Sequence, residues 1–84
     1  MELKDTIELM TSEDYKERFQ AEYYQTKIRY KKLHNMVIKM EAGTLNFEPV
    51  CDKELFKSQL SNMGAYLYWL EVRAQKEGIT LLEV

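Results

Sequence analysis

Structural breakers and reactive side chains are scarce in this chain. Its 84 residues include one Pro, one Cys, one His and three Gly. A single thiol, Cys51, excludes an intrachain disulfide and a multi-thiol metal site within one copy. A nucleophilic Cys needs a base beside it, and His34 lies on the other side of the chain's one predicted corner, so nothing local activates the thiol. Cys51 is expected to be buried or half-buried. There is also no Gly-rich phosphate loop, no His-Glu metal spacing and no Ser-triad signature. An enzyme is therefore the reading with least support, and no catalytic residue, metal ligand or cofactor is assigned. No run approaches the roughly 20 apolar residues that span a bilayer. The N-terminal MELKDTIELM is too acidic and polar to read as a signal peptide, so no membrane partner and a cytosolic location are expected.

Hydrophobic residues make up 45% of the chain and charged residues 31%, a composition that suits long amphipathic helices and not a disordered segment. A chain of this length buries only about 60–65% of the surface that its unfolded form exposes. One domain with a thin core follows.

The first ten residues form a short amphipathic segment, with Leu3, Ile7 and Met10 at helical spacing. Thr11-Ser12-Glu13-Asp14 then reads as an N-cap followed by acids at the positive end of a helix dipole. The first long helix is expected over about 12–42, ended by Gly43 in a left-handed conformation. A corner over 43–51 contains Pro49, which forces Glu48 out of the helical region. Asp52 caps a second helix over about 52–77, and Gly78 ends it. Gly64 inside this helix marks a close contact, since it costs about 1 kcal/mol relative to Ala. An apolar tail, 79–84, either packs on a neighbour or frays. The expected fold is all-α: an antiparallel two-helix hairpin with a short N-terminal segment, Leu45 and Phe47 closing its open end.

Each helix carries one apolar seam, with Phe19, Tyr23, Leu33 and Val37 on the first and Leu60, Met63, Leu67, Leu70 and Ala74 on the second. A second set of apolar or small residues falls off the seam: Tyr24 and Ile28, then Ser61, Ala65, Tyr68 and Val72. A two-helix monomer would leave these wet. They are the candidate interface of a homo-oligomeric helical bundle.

Charge is uneven along the chain. Residues 23–40 hold five bases and no acid, in a protein of net charge −2. That balance argues against a duplex nucleic-acid binder. A small anion is the better match: Tyr23 and Tyr30 interleave with Lys27 and Arg29, which offers a base a stacking face and phosphates their cations. His34 lies at the margin of this segment. Trp69 and Arg73, one turn apart on the second helix, form a similar ring-and-cation pair. These seven are the candidate ligand-binding residues. The alternative for the basic segment is a solvated helix face paired with acids of a neighbour. Glu22, Thr26 and Arg29 are a separate case, either a Glu22–Arg29 ion pair at the edge of the core or a polar pocket between copies.

The stretch YKKLHNMVIKMEAGTLNFEP followed by QLSNMGAYLYWLEVRAQKEGI resembles a family of small proteins of tailed bacteriophages, known from the crAss-like phages among others. The resemblance covers about residues 15–79 and implies a phage-encoded protein acting in the bacterial host cytoplasm. Small phage proteins of this kind often counter host defence, and some helical hairpins assemble into oligomers that sequester cyclic nucleotide signals. By that analogy the chain is expected to be a sponge for a small cyclic nucleotide or ADP-ribose-type signal. The alternative is a protein inhibitor or adapter that docks a helical face carrying Tyr68, Trp69 and Val72 onto a host defence protein.

Overall fold

The computed structural model describes all 84 residues. Three α-helices, α1 (Ile7–Met10), α2 (Tyr15–Ala42) and α3 (Lys53–Glu77), follow a 3-10 turn at Leu3–Thr6, and no strand is present. The protein is all-helical. At 28 residues, α2 is about 42 Å long and sets the 43 Å long axis of the molecule.

The start of α2 lies at Tyr15, three residues after the expected one, because Asp14 takes the cap. Its carboxylate accepts from the amide of Lys16 at 2.9 Å. Ser12 serves the same end indirectly, accepting from the amide of Asp14 at 3.0 Å and donating to Glu17 at 2.7 Å. Gly43 closes α2 with φ 74°, where a Cβ would be strained. Asp52 caps α3 by accepting from the amide of Leu55 at 2.8 Å.

Contacts between α2 and α3 descend along one helix as they climb the other. Arg73 donates to the Tyr15 hydroxyl at 2.6 Å and Tyr23 donates to Glu71 at 2.7 Å. Farther along, Tyr30 faces Gly64, and Glu41 pairs with Lys53 and Lys57 at 3.1 and 3.2 Å. The two helices therefore run antiparallel. Those two lysines hold the Glu41 carboxyl below the usual carboxylate range by hydrogen bonding and charge. The core between the helices centres on Phe19, Tyr23, Tyr24, Leu67, Leu70, Ala74 and Ile79.

Two further segments cover α2. The N-terminal segment lies against it through Thr6, which is fully buried and accepts from Gln25 at 2.9 Å. On another side lies the tail. Gly78 (φ 67°) turns the chain and Ile79 enters the core. Gln20 then donates to the Thr80 carbonyl, the Tyr24 hydroxyl accepts from the amide of Leu82, and Lys31 donates to the Val84 carbonyl, at 2.8, 3.1 and 2.9 Å. The tail neither frays nor waits for a neighbour; it runs alongside α2.

This covering corrects the expected interface. Tyr24 and Ile28 retain only 2% and 7% of their exposure, and for Tyr24 the N-terminal segment and the tail supply the cover assigned to a second copy. Leu9, Leu81 and Val84 pack against the cluster that holds Tyr24. Three smaller expectations also change. Glu22 and Arg29 stay exposed and unpaired, since residues seven apart stand two turns from each other and only i,i+3 or i,i+4 partners meet. Phe47 is 57% exposed while Leu45 is half-buried, as only two helix ends stand behind the corner. Cys51 is exposed in that same corner.

Two stability effects follow. A Cβ on Gly64 would stand 3.7 Å from Tyr30 Cε2, an ordinary contact, so Gly64→Ala should raise unfolding free energy by about 0.5–1 kcal/mol in urea titrations. Tyr23 is held above its ordinary pKa of about 10, first by burial and then by Glu71. The folded chain thus keeps that proton more tightly than the unfolded one. This contribution is complete below pH about 10 and is lost as pH climbs toward the folded value. Urea titrations across that alkaline range should show a shallower fall in stability for Tyr23→Phe than for the unaltered chain.

Candidate functional site

On α2, residues 23, 27, 30, 31 and 34 recur every three or four positions and so form one strip along the helix. α3 flanks this strip with Glu71 and Gln75, and the tail from Ile79 to Val84 closes the other side. Together they enclose a half-open groove of about 980 Å³. That is the volume of a site for a small organic molecule.

The strip supplies rings and cations. Tyr30 and His34, one turn apart, stack with centroids 5.9 Å apart and planes 24° from parallel, leaving an extended π surface along the groove. Lys27 and Lys31 stand beside it. Lys27 is half-buried, and neither it nor His34 has a hydrogen-bond partner within the chain, whereas Lys31 holds the tail through the Val84 carbonyl. The two flanks differ from the strip in sign, with Glu71 on α3 and Glu83 in the tail. Glu71 already accepts the Tyr23 hydroxyl, and Tyr23 remains a neutral phenol. An anion is therefore drawn to the α2 strip and repelled from the flanks, which orients it.

Of the seven residues expected to bind a ligand, the groove gathers Tyr23, Lys27, Tyr30 and His34. Arg29 points elsewhere: exposed on α2, it does not line the groove. Arg73 is already engaged, its guanidinium 4.8 Å over the Phe19 ring and hydrogen-bonded to Tyr15 and Glu77. Trp69 lies outside as well, edge-on to Tyr68 at 5.0 Å. Sequence reasoning missed Lys31, Glu71 and the tail as groove residues. Lys31 follows from the same helical spacing as Lys27, but the tail's return along α2 has no local signal beyond Gly78 and the apolar Ile79.

The candidate interface divides too. Tyr24 and Ile28 are internal, while Ser61, Ala65 and Tyr68 are exposed and Val72 is half-buried on the outer side of α3.

Comparison with known proteins places the chain in one family. Residues 13–76, well over half of its length, match the model of the Sequestin family, and the chain belongs to that family. No curated protein and no solved structure matches it.

Proposed function

We propose that the chain is a non-enzymatic sequestering protein whose groove holds a small anionic nucleotide and keeps it from its receptor. The observation that carries this reading is the strip on α2, where a stacked Tyr30–His34 pair lies beside the row of Lys27 and Lys31. Stacking tolerates any base because every base has a π face, and two cations a turn apart suit a phosphate or diphosphate. The family name, Sequestin, agrees with a sequestering role. The resemblance to small proteins of tailed phages extends the reading to a phage-encoded counter-defence protein in the host cytoplasm, with copies associating and the ligand being a cyclic nucleotide or ADP-ribose-type immune signal. No helix is long and apolar enough to cross a membrane.

A second reading rests on Tyr68 and Trp69, which are 57% and 60% exposed and could seat a host protein.

Calorimetric titration with cyclic dinucleotides, cyclic trinucleotides and cyclic ADP-ribose isomers tests the proposal. One of these should bind, and Lys27→Ala and Lys31→Ala should each weaken it about tenfold or more, the value of a charge-assisted hydrogen bond. Arg29→Ala and Arg73→Ala should leave affinity unchanged. Unchanged affinity in both lysine variants would remove the groove as the site. Absence of any bound compound, with a host protein captured by the unaltered chain and lost by Trp69→Asp, would favour the second reading.

A further inference from the structure

Rings and cations on α2 account for one side of the groove, but they leave the polar groups of α3 without a task. The strip on α2 has two edges. Tyr23 and Tyr30 lie toward α3, since Tyr23 donates to Glu71 at 2.7 Å and Tyr30 faces Gly64. Lys31 lies toward the tail, donating to the Val84 carbonyl at 2.9 Å. A nucleotide that sets its phosphates on the lysines and its base over Tyr30 therefore turns the edge of that base to α3. The groups lining the groove there are Glu71 and, one turn on, Gln75.

Hydrogen-bond capacity along this edge is selective. Glu71 takes the Tyr23 hydroxyl on Oε2 alone, which leaves Oε1 and one lone pair of Oε2 free, and a carboxylate accepts without donating. Gln75 is exposed and bonds to nothing within the chain, and its amide can donate. The bases differ in what they present to such a pair. Adenine's amine is flanked by ring nitrogens that only accept, cytosine's adjoins two acceptors in a row, and uracil's single N–H stands between two carbonyls. Guanine alone sets two donors side by side, N1–H and the N2 amine, with the O6 acceptor next to them. A carboxylate beside an amide donor is the complement of that edge and sets acceptor against acceptor for the other three.

We infer that the α3 flank reads the base and that the groove takes a guanine nucleotide. Glu71 accepts from N1 and N2, and Gln75 donates to O6. This rests on the sequestering reading and adds to it the residues that choose the ligand. Charge favours the same orientation, because Glu71 repels phosphate and so leaves its flank to the neutral edge of a base. Affinity and choice then belong to different helices, the first to α2 and the second to α3.

Calorimetric titration with cyclic di-GMP and cyclic di-IMP tests the inference, since the two differ only in the 2-amino group that guanine has and hypoxanthine lacks. The unaltered chain should bind cyclic di-GMP about tenfold or more tightly, because hypoxanthine leaves an acceptor of Glu71 unpaired. Glu71→Gln can still accept from Tyr23 but turns an amine toward the base, so it should bring the two compounds to within about threefold of each other. Gln75→Ala should weaken both by about five- to tenfold, as both carry O6. Glu83→Gln, in the tail, should leave their ratio unchanged. Equal affinity for the two compounds, with both lost in Lys27→Ala, would overturn the base reading and leave the sequestering one in place. Tighter binding of cyclic di-AMP than of cyclic di-GMP would overturn it too, as would a ratio abolished by Glu83→Gln and kept by Glu71→Gln. Failure of every compound to bind would remove both readings.

Discussion

Two consecutive tyrosines hold this molecule together. On a helix, neighbours point about 100° apart, so Tyr23 and Tyr24 address different partners from one turn of α2. Tyr23 donates to Glu71 of α3 and Tyr24 accepts the Leu82 amide of the tail, while their rings meet edge-on at 6.1 Å. Burying both requires cover on two sides, which a second helix alone cannot give. The N-terminal segment and the tail provide the rest. Only 11 of the 84 residues are buried, so this turn of α2 carries an unusual share of the core.

The groove is a consequence of the same requirement. Because the tail must return along α2 to cover Tyr24, its backbone rises as a wall beside the strip that continues from Tyr23 through Lys27, Tyr30 and Lys31 to His34. The groove is thus built from the outer rim of the core, and its acidic wall, Glu71, is also the residue that anchors Tyr23. Fold and site share their hydrogen bonds, and the ring and cation strip lies on the longest helix.

The sequence made the helices legible through local chemistry. Gly43, Asp52 and Gly78 each act within one turn of their own position, and the strip of tyrosines and lysines follows from spacing along a single helix. What it did not reveal depends on long-range return of the chain. Tyr24 and Ile28 resemble interface residues as long as only two helices are counted, and beyond Gly78 and the apolar Ile79 nothing in the tail announces that it folds back along α2. Arg73 misled for a related reason. Its placement one turn from Trp69 suggested a ligand site, but its side chain reaches across to Phe19 and Tyr15, more than fifty residues away in sequence. Glu22 and Arg29, seven residues apart, stand two turns from each other and do not pair.

The central claim is that a nucleotide enters the groove between α2 and the tail. Hydrogen-exchange mass spectrometry of the full chain, with and without a pool of cyclic dinucleotides, cyclic trinucleotides and cyclic ADP-ribose isomers, tests it most directly. The account predicts slowed exchange in the tail at residues 79–84, where bound ligand would clamp the strand of backbone against α2. Unchanged tail exchange, or protection confined to the outer side of α3 around Tyr68 and Trp69, would contradict it.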